Sequence, residues 1–344
     1  MQNKIGKLAL LALILVYLVI VAGAVVRMTG SGMGCPDWPK CFGYYIPPTD
    51  VETLQWAPNK AFDKGQVIIV DETLQIAVKD FSTSAEYKPT NWEPYTKHDY
   101  AVFNVWHTWI EYINRLLGAQ AGLATLALAI GSIWYWSKNK KITILAWLVV
   151  FGMAFQAWLG ATVVYSVLEP LKITLHMLMA LLIVAMLLFL IHNLSKTNMA
   201  ANAPKSSIHY LIILSLILTF IQIILGTQVR QFVDEQIDQI GYAKNLWLQD
   251  PTIHFYIHRS LSIAVLALNG YLFWSIAKMK LPLRKINWVG LLILMEIATG
   301  IAMYYLDFPF ASQPLHLVLA SILFGVQFYL VLEALHLNNS NKSL

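Results

Sequence analysis

Eight apolar runs of roughly 20 residues recur along the 344-residue chain, and each can cross the hydrocarbon core of a bilayer, about 30 Å thick. Only 12% of the residues are charged, about half the share found in soluble proteins. The sequence therefore predicts an all-α integral membrane protein embedded in the lipid bilayer, and it excludes a soluble enzyme. The predicted spans are 8–27, 104–136, 142–165, 171–194, 208–230, 252–278, 286–306 and 312–336.

The charges between the spans predict the topology. Connections 137–141, 195–207 and 279–285 carry lysine and arginine but no acid, whereas the opposite connections carry nearly every acid. The positive-inside rule then places both termini in the cytoplasm. The formal net charge of +5 is explained by this distribution, so no nucleic-acid partner is expected.

The segment 28–103 is polar and too long to be a simple connector, which predicts a small folded cap or a functional loop on the outer side. It contains both cysteines of the chain, Cys35 and Cys41. A closely spaced pair on the oxidising side of a membrane predicts a disulfide. A structural staple and an exposed, redox-active pair both remain open at this point.

An internal repeat divides the chain. Its matches are 23-GAVVR-27 with 226-GTQVR-230, 114-NRLLGAQAGL-123 with 258-HRSLSIAVLAL-268, and 175-LHMLMALLI-183 with 315-LHLVLASIL-323. Because four helices return the chain to the same side, the copies are predicted to be parallel repeats about an axis along the membrane normal. We expect two pseudo-symmetric four-helix bundles, 1–200 and 201–344.

The repeat also sorts the histidines. It pairs His176 with His316, and it pairs His258 with Asn114. Two histidines on facing helices of a bundle form a natural bis-imidazole heme site, which favours His258 and His316 as iron ligands. The alternative is that they are interhelical hydrogen-bonding residues. Four histidines near loops or helix ends are expected to be solvated: His98, His192, His209 and His336.

The stretch 107-HTWIEYINRLLG-118 opens span two with polar residues. His107, Glu111 and Asn114 share one helical face, and ionisable groups at the mouth of a membrane helix indicate a functional site. The alternatives are an amphipathic first turn and an ion pair between Glu111 and Arg115. Arginines recur at the outer helix ends and suit heme propionates, although snorkelling explains each one equally well: Arg27, Arg115, Arg230 and Arg259.

Four features of the sequence together resemble the heme A synthase family. They are the run 27-RMTGSGMGCPDWPKCFG-43, the E-x-x-x-R-L-L-G of span two, the HR of span six and the LH of spans four and eight. The resemblance covers essentially all eight spans. That family is a two-fold pseudo-symmetric membrane enzyme that oxidises the C8 methyl of heme O to a formyl group. It thereby makes heme A for cytochrome oxidase.

The resemblance implies roles for individual residues. His258 and His316 would ligate a heme b in the C-terminal half. The substrate heme O would occupy the N-terminal half, with His176 as a ligand or near-ligand. Glu111 would match the essential acid of the family, relaying protons or orienting the substrate. Cys35 and Cys41 would match its pair of loop cysteines.

One residue departs from the family pattern. The usual motif in span two is Glu-x-x-His, but this chain has Asn114 at the histidine position. His107 lies on the same face, about 10 Å higher along the helix, and would replace the ligand only if the heme sits higher or the first turn is reshaped. Otherwise the iron is five-coordinate on His176. Both readings remain open, as does the role of Glu296, an acid in the middle of span seven.

The resemblance further implies a cell inner (cytoplasmic) membrane location, with the heme sites toward the outer face. Implied partners are heme O synthase, cytochrome oxidase assembly factors and an unidentified electron donor. Assembly into a homo-oligomer is an open expectation. Two rival functions remain at this stage, a diheme cytochrome b-type electron-transfer protein and a non-catalytic heme carrier.

Overall fold

The computed structural model describes residues 2–195 and 206–342. Within those ranges eight helices are long and apolar enough to cross a membrane, which confirms the prediction of an eight-helix membrane protein. The helices are α1 (Gln2–Met28), α2 (Val105–Ile133), α3 (Lys140–Tyr165), α4 (Pro170–Leu194), α5 (Ser206–Ile240), α6 (Ile253–Lys278), α7 (Ile286–Tyr305) and α8 (Ser312–Lys342). Lys196 and Lys205, which contribute to the predicted inner charge, lie outside the described residues.

Helix α5 is longer than predicted. It ends at Ile240 instead of residue 230, so the first half of the connection between the predicted spans 208–230 and 252–278 is helical, which corrects the predicted end of the earlier span. Arg230 and Asp234, one helical turn apart, form an ion pair with an N–O distance of 2.8 Å. Pairs with this spacing stabilise a helix, here at the polar end of α5. The helix stops at Gly241, which adopts a left-handed φ of 66° as helix-terminating glycines do.

The contacts divide the chain into two units, which are described separately. The first unit comprises Met1–Ile14, Ala124–Val150 and Leu178–Leu344. The second comprises Leu15–Leu123 and Phe151–Met177. The division predicted between residues 200 and 201 stays a prediction.

In the first unit, helices α5 to α8 form a closed ring. Helix α5 packs against α6 and α8, and α7 packs against the same two helices. Leucine, isoleucine and valine fill the core between them. A buried polar network crosses this core: Gln327 donates to Ser215 (3.0 Å), and the Ser215 hydroxyl donates to the Asn269 side chain (2.8 Å). Polar side chains in a membrane bundle are stable where they find partners on neighbouring helices, as these do.

In the second unit, the external segment is a folded cap containing two small antiparallel sheets, which the all-α prediction did not include. Strands β1 (Ala61–Phe62) and β4 (Phe81–Ser82) pair, and β2 (Val67–Val70), β3 (Thr73–Ala77) and β5 (Trp92–Pro94) form the order β2-β3-β5. Asp71 and Glu72 join β2 to β3 with positive φ at both positions, as a tight hairpin turn requires. Phe62 and Trp92 pack edge to face at 5.0 Å below the sheets.

The polar network predicts a measurable coupling between α5 and α8. In a double-mutant cycle, Ser215→Ala and Gln327→Ala should couple by about 0.6 to 1.7 kcal/mol, the range known for interhelical hydrogen bonds in membranes. Thermal unfolding in detergent provides the measurement. The Ser262 hydroxyl donates to the backbone carbonyl of Arg259 in its own helix and has no side-chain bond to another helix among the described residues, so the effects of Ser262→Ala and Gln327→Ala should add without coupling. A zero coupling in the Ser215 cycle would show that the network does not tie the helices together.

Candidate functional site

The first unit brings His258 and His316 together, as the repeat predicts. Their ring centres lie 6.4 Å apart, with the ring planes inclined at 71°. With metal–nitrogen bonds of about 2.0 to 2.1 Å, as at zinc, two imidazoles on opposite sides of one metal ion have ring centres roughly 6 to 6.5 Å apart. The pair is therefore spaced as two axial ligands of one iron.

The second nitrogen of His316 is fixed by residues of α7. Its Nδ1 lies 3.0 Å from Oε2 of Glu296 and 2.7 Å from Oγ1 of Thr299. A carboxylate accepts, and the Thr299 hydroxyl can donate its one proton to a backbone carbonyl of its own helix, so we assign the proton to Nδ1 of His316 as the donor. This leaves Nε2 as the free ligand atom, in the arrangement by which a carboxylate orients a metal-binding histidine. Glu296, unassigned from sequence, thus belongs to this site.

Glycines of the preceding helices pack against both rings. A Cβ added to Gly226 in α5 would lie 3.3 Å from Cε1 of His258, and one added to Gly300 in α7 would lie 3.8 Å from Cε1 of His316. The side chain of Gln222 in α5 donates to the His258 carbonyl at 2.7 Å. Nδ1 of His258 is buried and has no hydrogen-bond partner among the described residues.

These residues fit a heme. Two imidazoles at axial spacing, one oriented by a carboxylate, match the bis-histidine sites of four-helix bundles. No group of three or more His, Cys, Asp or Glu side chains that could hold a metal ion occurs among the described residues. Of the predicted propionate partners in this unit, Arg259 is exposed, whereas Arg230 is largely buried beside Asp234.

The second unit repeats the same local arrangement around His176. A Cβ added to Gly160 in α3 would lie 3.3 Å from Cε1 of His176, and the Gln156 side chain donates to the His176 carbonyl at 3.0 Å. Nδ1 of His176 is buried and, among the described residues, lacks a partner. The spacing Gln-x-x-x-Gly at 156–160 and 222–226, with Glu296 and Gly300 in the same relation, is a sequence signal that the prediction missed.

Asn114 occupies the fourth equivalent position. A Cβ added to Gly23 in α1 would lie 4.0 Å from Oδ1 of Asn114, so this residue also faces a glycine of the preceding helix. Its Oδ1 is buried and has no hydrogen-bond partner in the described part of the chain. His107 lies two turns earlier, in the first turn of the continuous helix α2. No contact brings its ring to His176 among the described residues, and its proposed role stays a prediction.

Glu111 is buried, with 4% of its surface exposed, and both its carboxylate oxygens have partners. Oε1 pairs with the guanidinium of Arg115, one turn later, and Oε2 accepts the backbone N–H of Cys35 at 2.7 Å. The ion pair considered from the sequence is therefore present. It also reaches beyond α2, because it holds the loop that contains the two cysteines.

Arg115 fixes the rest of that loop. Its guanidinium donates to the backbone carbonyls of Cys35 (2.9 Å), Asp37 (2.7 Å) and Lys40 (2.9 Å). The predicted disulfide between Cys35 and Cys41 is confirmed, and both sulfur-bearing residues are almost completely buried. Burial of this kind favours the structural staple over an exposed redox pair. The two terminal nitrogens of Arg115 are engaged by the loop and by Glu111, and the proposed contact of Arg115 with a propionate stays a prediction.

The loop packs closely on the start of α2. The hydroxyl of Thr108 donates to the Gly34 carbonyl at 2.7 Å, and Gly34 lies so near the His107 carbonyl that a Cβ there would clash. Asp37 accepts the backbone N–H groups of Phe42 and Gly43 within the loop. Burial raises the pKa of the Asp37 carboxyl above its ordinary value, and these two hydrogen bonds oppose the shift.

Two other predictions concern residues away from the loop. Arg27 lies in the last turn of α1 and is half-buried, and its role toward a propionate stays a prediction. His209, expected to be solvated, is instead buried at 7% exposure beside Tyr210, which corrects that prediction. It lies near the start of α5, and the sequence position alone did not reveal that its helix end is packed.

Comparison with known proteins identifies the wider group. The family described as cytochrome oxidase assembly protein matches residues 6–88 and 64–328 of the chain. The chain is 25% identical to a heme A synthase of Rickettsia prowazekii, over 94% of this chain and 96% of that protein. It is 24% identical to one of Bacillus licheniformis, over 96% of each chain. It is 23% identical to a heme A synthase of Flavobacterium johnsoniae, over 92% of this chain and 93% of that protein.

The anchoring of the cysteine loop gives a testable expectation. Arg115→Lys removes the planar guanidinium that donates to three loop carbonyls. Leaving such buried carbonyls without a donor should destabilise the loop by about 1 to 3 kcal/mol. Backbone amides of residues 35–44 should then exchange with deuterium about 10- to 100-fold faster. Lys172 forms an exposed pair with Glu169, so Lys172→Gln should leave exchange unchanged. Wild-type exchange rates in the Arg115→Lys protein would contradict the anchoring role.

Proposed function

The chain belongs to the family of cytochrome oxidase assembly proteins, and from this membership and its histidine sites we propose that it is a heme A synthase. In this proposal it is a membrane oxidoreductase that oxidises the C8 methyl of heme O to a formyl group. The observation that carries the proposal is the pair His258 and His316, set at axial spacing with one ring held by Glu296. A glycine-backed His176 in the other unit supplies the second site.

His258 and His316 would hold a heme b. When bound, this group supplies one-electron redox chemistry. Because both histidines would be occupied in holding this group, its role in the proposal would be to pass electrons rather than to bind the substrate. Glu296 and Thr299 orient the His316 ring, and the carboxylate raises the basicity of the ligand. Gly226 and Gly300 keep the helices close to the rings by presenting no side chain.

The substrate heme O belongs in the unit of His176. There the C8 methyl would undergo two successive hydroxylations. Each would take one oxygen atom from dioxygen, while two electrons from the donor and two protons reduce the other oxygen atom to water. The resulting geminal diol would lose water to give the aldehyde. Glu111 is the one acidic residue of α2, and it is proposed to move protons to or from the substrate. Each carboxylate oxygen can accept more than one hydrogen bond, so the contacts with Arg115 and Cys35 leave capacity for a further donor.

The remaining elements of the proposal concern the setting. The enzyme is placed in the cell inner (cytoplasmic) membrane, with both heme sites toward the outer face, as the charge pattern of the connections favours. Heme O synthase is the proposed source of substrate, and cytochrome oxidase assembly factors are the proposed recipients of product. An electron donor of unidentified nature completes the reaction.

The direct test is to express the chain with a source of heme O and separate the extracted hemes by chromatography. We expect heme A or the hydroxylated heme O together with heme b. Heme b alone, tightly bound and without an oxidised product, would contradict the enzyme and favour a cytochrome b-type electron-transfer protein. Weakly bound heme without product would favour a carrier. Protein expressed without the heme O source is the control.

The heme b site makes a second prediction. His258→Ala and His316→Ala should each abolish the low-spin spectrum, because one axial ligand is removed. Glu296→Gln should keep that spectrum but raise the midpoint potential, because a neutral amide makes His316 less basic and favours ferric iron less. The midpoint potential shifts by about 59 mV for each tenfold change in the ratio of the site's affinities for ferric and ferrous heme. Thr299→Val, which removes only a hydroxyl, should shift the potential less. An unchanged potential in Glu296→Gln would argue against the contact.

Proton transfer by Glu111 gives a third prediction. In Glu111→Gln the ion pair is lost, but the amide oxygen can still accept the Cys35 N–H and Arg115 keeps its three loop carbonyls. The loop should therefore keep most of its deuterium protection while product formation falls by about 10²- to 10⁴-fold. The low-spin spectrum of the other unit should persist. Activity within a few-fold of wild type would mean that Glu111 only anchors the loop, and loss of the low-spin spectrum would contradict separate roles for the two sites.

A further inference from the structure

We propose that Asn114 marks an open axial position, so that the iron of the heme beside His176 has one protein ligand and accepts a small exogenous ligand on its other side. Suitable ligands are carbon monoxide, cyanide and free imidazole. The inference rests on the proposed function, because it requires a heme in the unit that contains His176.

Four glycine contacts support it. Each even-numbered helix carries one residue that faces a glycine of the helix before it. In α4, α6 and α8 that residue is a histidine, and in α2 it is an asparagine. The pairs are Gly23 with Asn114, Gly160 with His176, Gly226 with His258, and Gly300 with His316. Asn114 therefore occupies the position that, in each of the other three glycine contacts, is occupied by a candidate iron ligand.

The repeat indicates what lies across from Asn114. It pairs Asn114 with His258 and His176 with His316. Since His258 and His316 face each other at 6.4 Å in their own unit, the equivalent residues of the other unit are expected to face each other across one porphyrin. His176 would then approach the iron from one side and Asn114 from the other.

Asn114 cannot close that position itself. Its polar atoms end about one bond closer to the backbone than Nε2 of a histidine, and an amide oxygen is a poor ligand for heme iron. Its Oδ1 is buried and bonds to nothing in the described part of the chain, which is uncommon for a buried polar atom and expected where a bound group completes the site. A small molecule would take the place of the missing imidazole edge, where the Asn114 amide can contact it.

His107 does not replace the missing ligand. Helix α2 runs without interruption from Val105, so the seven residues between His107 and Asn114 place them about 10 Å apart along its axis. The first turn is also held in place: the His107 carbonyl packs on Gly34, and its N–H donates to the Asn104 side chain. The reshaping that would bring His107 down to the level of Asn114 is therefore absent.

The test uses the purified full-length chain loaded with two equivalents of protoheme. We expect one low-spin heme and one high-spin heme per chain, and the reduced protein should bind one carbon monoxide. Asn114→His should convert the high-spin heme to low-spin and weaken carbon monoxide binding at least tenfold, because a histidine there faces Gly23 as the other three face their glycines. Asn114→Gln, which adds no imidazole, is the matched control and should still bind carbon monoxide.

The contrary outcomes are distinct. Two low-spin hemes in the wild-type chain, with no carbon monoxide binding, would overturn the inference. If His107→Ala then creates a high-spin heme, His107 is the ligand. Carbon monoxide binding by Asn114→His that equals that of wild type would also overturn it. His176→Ala should remove the heme that binds carbon monoxide. A chain that binds only one heme, with or without His176, would defeat the proposed function along with the inference.

Discussion

The close approach of a glycine-bearing helix to an imidazole ring is the constraint on which both sites depend. At Gly160 and Gly226 even one added carbon would lie 3.3 Å from the ring of the neighbouring histidine. The interhelical distance, the ring position and the identity of the glycine are therefore set together. The sites then differ in what surrounds the ring: His316 has a carboxylate on its second nitrogen, whereas the same atom of His176 has no partner among the described residues.

The second constraint is electrostatic. Glu111 and Arg115 are largely buried at the mouth of a membrane helix, where an unpaired charge would be costly. The structure resolves this by pairing them and by giving the guanidinium three carbonyls of the cysteine loop. The disulfide between Cys35 and Cys41 closes the loop that presents those carbonyls into a small ring. The acid proposed for catalysis is thus held by the same contacts that attach the cap to α2.

Much of the architecture is readable from the sequence, because each span carries its own hydropathy signal and the repeat aligns His176 with His316 and Asn114 with His258. The spans, the disulfide and the approach of His258 to His316 all follow from such signals. The extension of α5 past residue 230 was missed because its polar residues resemble a loop, although their partners lie one turn apart. The small sheets were missed because strands of two to five residues carry little periodicity. The contact of Glu296 with His316 joins two helices, and no local pattern encodes it.

The account is tested most directly by a cryo-EM map of the heme-loaded protein in a lipid nanodisc. It predicts porphyrin density between His258 and His316, with iron bonded to both Nε2 atoms and Glu296 still on Nδ1 of His316. The spacing of 6.4 Å between the ring centres should be nearly unchanged from the structure described above. Rings that bond to each other or to water, with porphyrin bound elsewhere or absent, would contradict the assignment of this histidine pair as the heme site.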